Sequence, residues 1–240
     1  MQSQQSSLPS YEVYTPNILQ IYDFWVLGLT NLYLWKCPTR VIKEKFEISL
    51  SDNHLDVGVG SGYYLDECLT ETTNRIGLLD ANKTCLSATS RRISRFQPEV
   101  YQADVRRPLE LDCDGFDSIS VNSLLHGLPG TMKDKSQIIG NIVNFLNSGG
   151  KLFGSTVLAD QNDELGFVGK LLMKTYNRLG IYANKNDTLD ALKDMLSEHL
   201  DHIEIDIVGC VAVFSGVKKN TFIALENLSF PVSPFVFKNY

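Results

Sequence analysis

The segment "NHLDVGVGSGYYLDECL", residues 53–69, constrains the chain most. An apolar run carries an acid, Asp56, and ends in three glycines on alternate positions, Gly58, Gly60 and Gly62. An amphipathic stretch follows. This order predicts a strand, a tight turn with positive φ and a helix start. Turns of that kind let a backbone approach a bound nucleotide closely.

The rest of the chain repeats the theme. Helices are expected over 14–35, broken near Gly28, and over 37–49. Strand and helix signals then alternate. Strands are expected at "HLDVGV", "RIGLLD", "EVYQADV", "FDSISVN" and "KLFGSTVLA". Helices are expected over 63–70, 83–96, 133–146, 164–179 and 189–199, the third of these stopped by the Gly149-Gly150 pair. The run "HIEIDIVGCVAVFSGV" reads as a strand, Lys218-Lys219-Asn220 as a turn and "TFIALEN" as the returning strand. Together these predict an α/β fold: one Rossmann-like domain, a mainly parallel seven-stranded sheet with helices on both faces, a closing antiparallel hairpin and an N-terminal helical cap. The expected division is a disordered tail at 1–10, the cap at 11–48 and a core at 49–240.

Composition bounds the function. With 240 residues, 43% hydrophobic, one domain buries a core without staples. The five cysteines, Cys37, Cys68, Cys85, Cys113 and Cys210, form no CxxC pair, so free thiols in a reducing, cytoplasmic setting are expected and no metal. A net charge of −6 argues against a nucleic-acid partner. Polar residues interrupt the apolar stretch 18–35, so no membrane span is expected. A monomer and a homodimer are both compatible with this composition.

The acids at the strand ends narrow the ligand. A dinucleotide fingerprint places its third glycine where Tyr63 stands, and no Gly-Lys-Ser/Thr follows for a P-loop. Asp56 would meet a cationic group, not a pyrophosphate. Asp80 closes the second strand and suits two ribose hydroxyls. Asp104 closes the third and suits an exocyclic amine, with Leu79 and Val105 sandwiching a ring. Any one such acid is also a common helix cap. The ordered set is more specific.

On these residues the sequence resembles the class I S-adenosylmethionine-dependent methyltransferases. "LDVGVGSGYYL" resembles the glycine motif of that family, "LLDAN" its ribose acid and "ADV" its adenine contact, across roughly 53–227. The stretch "YDFWVLGLTNLYLWKCPT" further resembles microbial natural-product, polyketide-associated small-molecule methyltransferases. The resemblance implies S-adenosyl-L-methionine as cofactor, held by Tyr22, Asp56, Gly58, Gly60, Gly62, Leu79, Asp80, Asp104, Val105 and Asn122. It implies methyl transfer to a small secondary-metabolite-like acceptor, at oxygen by preference. His126, after the fourth strand, is the candidate base, because histidine titrates near neutrality; a structural histidine at a helix start fits equally. Trp25, His126 and Tyr176 are the candidate acceptor contacts, with ordinary packing as the alternative for the aromatics. Two readings without transfer stand beside this one: a cyclase that uses the bound sulfonium electrostatically, and a cofactor-binding regulator.

Overall fold

The computed structural model describes residues 31–161 and 165–220. The tail, most of the expected cap with Tyr22 and Trp25, and the segment "TFIALEN" lie outside the described residues.

Thirteen main elements follow in order: α1 (Thr39–Ser49), β1 (Asn53–Val57), α2 (Tyr63–Cys68), β2 (Arg75–Asp80), α3 (Lys83–Arg92), β3 (Glu99–Gln102), β4 (Phe116–Asn122), α4 (Met132–Val143), β5 (Leu146–Val157), α5 (Phe167–Leu179), α6 (Leu189–His199), β6 (Leu200–Val208) and β7 (Val211–Lys218). One seven-stranded sheet has the order β3-β2-β1-β4-β5-β7-β6. Pairs from β3 through β5 are parallel, and β7 pairs antiparallel with β5 and β6. Strand order reverses between β1 and β4, where an open α/β sheet forms its ligand crevice at the carboxyl ends.

Alternation along the strands sorts the core into layers. Leu55 and Val57 of β1, Ile119 and Val121 of β4 and Leu152 of β5 pack with Ile139 and Ile142 of α4 and Leu192 and Leu196 of α6. Ile76 and Leu78 of β2 and Phe153 of β5 face the other way, onto Phe46 of α1, Leu65 of α2 and Leu86 of α3. A third cluster joins Trp35, Ile42 and Met173 to Val157, Val211 and Val213. Each such buried aliphatic side chain contributes about 1.5–3 kcal/mol.

Three expectations need correction. The hairpin turns at Gly209-Cys210, between β6 and β7, and Lys218 belongs to β7. Gly209 takes φ +58, and a Cβ there would meet the Trp35 carbonyl oxygen at 2.2 Å, so this turn requires glycine. Helix α4 ends at Val143, and Gly149, at φ +75, lies in the irregular start of β5 rather than ending the helix. Strand β3 stops at Gln102, which leaves Asp104 and Val105 in the following loop.

Candidate active site

A cavity of about 340 Å³ opens at the carboxyl ends of the parallel strands. Gly58, Gly60, Leu79, Asp80, Asp104, Val105, Asn122, His126 and Tyr176 line it, nine of the sequence-derived candidates. Strands β2 and β5 are three ladder steps apart, about 14 Å at ordinary strand spacing. The cavity therefore has two ends, one at β2 and β3, the other at β4, β5 and β7.

At the first end the glycine turn leaves β1. Gly58 donates its N–H to the Leu79 carbonyl at 2.8 Å. Gly60, at φ +53, presents a bare backbone: a Cβ there would meet nothing within 4 Å. Gly62 does not reach the cavity wall. It caps α2 at φ +73, where a Cβ would meet Thr89 Cγ2 at 2.7 Å. Asp80 is clasped by backbone N–H groups, including that of Asn82 at 2.8 Å. Burial raises its pKa above the ordinary carboxylate range, while N–H bonds from Asn82, Gly60 and Val59 oppose the shift.

Asp104 carries a partner that the sequence reading missed. Arg106 donates to it through Nε at 2.9 Å and Nη2 at 2.6 Å, and the guanidinium holds Asp104 below the usual carboxylate range. A ligand amine at Asp104 competes with that guanidinium. Cys85 also lines this end, but burial, aided by Asp80, pushes its thiol up to about 12, so it supplies no thiolate.

Asp56 stands behind the wall, not on it. Its side chain falls on the β1 face opposite Leu55 and Val57, where it accepts a hydrogen bond from Ser120. Burial pushes its pKa up to about 7. The chain continues from Ser120 to His54 Nε2 at 3.0 Å and from His54 Nδ1 to Ser118 at 2.8 Å. His54, near the start of β1, is a fully buried link in this polar row. Burial pushes it down to about 3.

The second end is built on the chain leaving β4. Ser123 adopts φ +55, a strained conformation for a residue other than glycine, and turns the backbone between Asn122 and His126. Asn122 accepts from Ser155 at 3.1 Å through Oδ1, and its Nδ2 is buried with no hydrogen-bond partner. An orphaned donor on a cavity wall is a place for a ligand oxygen.

His126 sits in a 3-10 turn, Leu125–Gly127. Its Nδ1 accepts the Val157 N–H at 3.2 Å, with the Thr156 hydroxyl 3.5 Å away. Burial, with the Lys135 ammonium nearby, pushes it down to about 3. With Nδ1 accepting, a neutral ring carries its proton on Nε2 and has no free lone pair for the role of the expected base. Tyr182 packs on it at 4.4 Å between centroids. Tyr182 in turn meets Tyr176 at 5.2 Å and Trp35 at 5.8 Å, which closes an aromatic wall.

Trp35 is not among the sequence-derived acceptor contacts, and neither is Tyr182. Its connector is fixed by buried polar groups. Lys135 of α4 bonds Asp187 at 2.6 Å and the Ala183 carbonyl at 3.1 Å, and Ala183 donates its N–H to the His126 carbonyl at 2.7 Å. Asn184 donates to the Val157 carbonyl at 2.9 Å. Nothing in "YANKND" marks these residues as buried. Among the described residues, no three His, Cys, Asp or Glu side chains gather as a metal site, and no helix is long and apolar enough to cross a membrane.

A doubly wound sheet with a bare glycine turn, an acid closing β2 and an unpartnered amide at β4 defines a nucleoside-binding α/β enzyme. The methyltransferase-domain family matches residues 55–152. The chain is 34% identical to the physcion biosynthesis cluster O-methyltransferase of Aspergillus chevalieri, over 86% of this chain and 93% of that protein. It is 31% identical to the demethylluteothin O-methyltransferase of Streptomyces thioluteus, over 84% and 87% of the two chains. The fold matches the N-methyltransferase NodS of Bradyrhizobium japonicum, solved with S-adenosyl-L-homocysteine, at TM-score 0.61 and 16% identity over 89% and 100% of the chains.

The chain belongs to the S-adenosylmethionine-dependent methyltransferases. Its residues fit that cofactor. The open space at Gly60 admits a ligand against the backbone, Asp80 offers a buried carboxylate for hydroxyls, and Asn122 offers an unused donor.

Proposed function

We propose that this enzyme methylates an oxygen of a small, largely apolar, secondary-metabolite-like acceptor. One observation carries the proposal. The charged side chains of the described cavity wall, Asp80, Asp104 and Arg106, all lie at the β2–β3 end, while the β4–β5 end is aromatic, aliphatic and uncharged polar, with Asn122, Ser123, His126 and Thr156. An acceptor there is recognised by aromatic faces and few hydrogen bonds, not by ion pairs. The two named relatives, O-methyltransferases of a fungal cluster and of a Streptomyces, support oxygen as the site.

In this reading Asp80 holds the ribose, Gly58 and Gly60 admit the cofactor against the turn, and Leu79 and Val105 flank its base, with Asp104 beside Arg106 at the adenine edge. Asn122 orients a ligand oxygen. Asp56 and Gly62 shape the turn from behind. His126, Tyr176, Tyr182 and Trp35 wall the acceptor. When bound, S-adenosylmethionine supplies an electrophilic methyl group on a sulfonium. The protein's part is positioning: in-line geometry between two reacting atoms at about 3 Å supplies much of the rate. We also assign the enzyme to the cytoplasm, as a monomer or homodimer without a nucleic-acid partner.

The test is transfer of isotopically labelled methyl from the cofactor to a panel of phenols, carboxylic acids and amines. Labelled phenol ethers are the expected products. Labelled amines with unlabelled phenols would move the site to nitrogen. Product of unchanged mass, without demethylated cofactor, would favour the cyclase reading.

A further inference from the structure

We propose that His126 serves the reaction as a neutral Nε2–H donor to an oxygen of the acceptor, and that the acceptor hydroxyl gives its proton to water rather than to this ring. This rests on the O-methylation reading above and adds the role of one residue and the fate of one proton.

The geometry at Nδ1 carries the inference. A neutral imidazole has one donor and one acceptor nitrogen. Nδ1 is committed as the acceptor, because the Val157 N–H points at it from 3.2 Å and that donor cannot reverse its role. The ring proton therefore stays on Nε2. To act as a base, Nε2 would need a lone pair, which would place a proton on Nδ1 directly against a peptide N–H. The groups packed around the ring oppose an imidazolium as well. From α4 comes the Lys135 ammonium, whose charge Asp187 partly offsets, and from the α5–α6 connector comes the Tyr182 ring. From β5 come the Thr156 hydroxyl and the Val157 amide. Among the described residues, no carboxylate hydrogen-bonds the ring to stabilise its cation.

No other group on the described wall replaces His126 as base. Asp80 belongs to the cofactor end, Asp104 is held by Arg106, Asp56 is off the wall, and the Cys85 thiol and the Tyr176 phenol, both raised by burial, stay protonated. The balanced step follows: the acceptor O–H ionises to water, the oxygen lone pair forms the new O–C bond, and the C–S electron pair remains on sulfur. The Nε2–H then stabilises the oxygen anion until it reacts, either at the nucleophile itself or at a conjugated oxygen. Acceptors acidic enough to ionise near neutral pH are favoured.

The test reads the ring first and turnover second. Long-range 1H–15N correlation on cofactor-loaded enzyme, with the His126 signal assigned from its loss in His126→Gln, should show one neutral Nε2–H tautomer from pH 5 to 8. An Nδ1–H tautomer, or a titration inside that window, would overturn the proposal. This readout needs no turnover, so it stays informative if the phenol panel defeats the proposed function. With a methylated phenol, His126→Gln keeps an N–H near the same place and should retain kcat/KM within about tenfold. His126→Ala should lose roughly 10- to 100-fold, the worth of one hydrogen bond to a charged oxygen. Across ring-fluorinated phenols, the rising limb of the pH–rate profile should move with the acceptor's own pKa. A limb fixed for all acceptors and abolished in His126→Gln would assign the proton to His126 and overturn the proposal.

Discussion

Gly60 and Gly62 are two residues apart, and both have positive φ, yet they answer to different demands. A methyl on Gly62 meets Thr89 at 2.7 Å, so Gly62→Ala should cost about 1–3 kcal/mol of stability in urea melts. A methyl on Gly60 meets no protein atom within 4 Å. Gly60→Ala should therefore weaken cofactor binding by roughly tenfold or more, with only a left-handed backbone cost of about 1–2 kcal/mol. Equal losses of binding and stability in the two variants would contradict this division. The acids divide in the same way. Asp80→Asn should weaken cofactor binding by about 1.5–3 kcal/mol, the worth of charged hydrogen bonds. Asp104→Asn should cost less, because Arg106 already occupies that carboxylate. Calorimetry on both variants ranks them, and the reverse order would place the main polar anchor at Asp104. His54 gives the pH dependence its clearest sign. It is held neutral in the fold, with its pKa lowered from 6.5 to about 3, so below pH 6.5 the unfolded chain binds a proton that the folded chain refuses. Its contribution is full above pH 6.5 and falls with pH, by about 2 kcal/mol at pH 5. The stability gap between wild type and His54→Gln should shrink by that amount between pH 7.5 and 5, and a constant gap would exclude the burial account. At this scale the sequence displayed Asp80 and Gly60 well, because strand-end position and φ > 0 leave a pattern. It hid the Arg106 partner of Asp104 and the tautomer of His126, which depend on contacts made only in three dimensions.

Elements with strong periodicity were legible, and their ends were less so. β2 and α6 match their expected bounds because hydrophobic spacing and clear stops coincide. The hairpin was displaced because "VGCVAV" reads as continuous strand, whereas the Gly209 position demands glycine by close approach to Trp35. The α5–α6 connector was invisible as a site element. Lysine in a helix and Asn-Lys-Asn-Asp in a loop ordinarily face water, and here Lys135 and Asp187 are 0% and 1% exposed. Lys135→Met leaves the Asp187 carboxylate buried without its partner, so a loss of about 3–5 kcal/mol is expected. Because this pair holds the connector that carries Tyr182, acceptor KM should rise more than cofactor Kd. Adding Asp187→Leu should recover much of the stability, since a buried ion pair is often replaceable by apolar groups. A double variant as unstable as Lys135→Met would show that the connector needs the charges themselves.

For the whole molecule, the sheet order β3-β2-β1-β4-β5-β7-β6 gathers residues far apart in the chain at one crevice. That gathering follows from strand–helix alternation, so the fold and the cofactor end were open to sequence reasoning. The proposed acceptor end draws on Trp35, His126, Tyr176 and Tyr182, which share no local motif, and only packing brings them together. On the reading proposed above, this crevice moves a methyl group onto an acceptor oxygen. The most direct measurement is mass spectrometry of products formed from methyl-labelled S-adenosylmethionine and the phenol panel. The expected product is a phenol ether carrying one labelled methyl, formed in equal amount with S-adenosylhomocysteine. Tight cofactor binding with no labelled product across the panel, or a converted acceptor of unchanged mass, would contradict it.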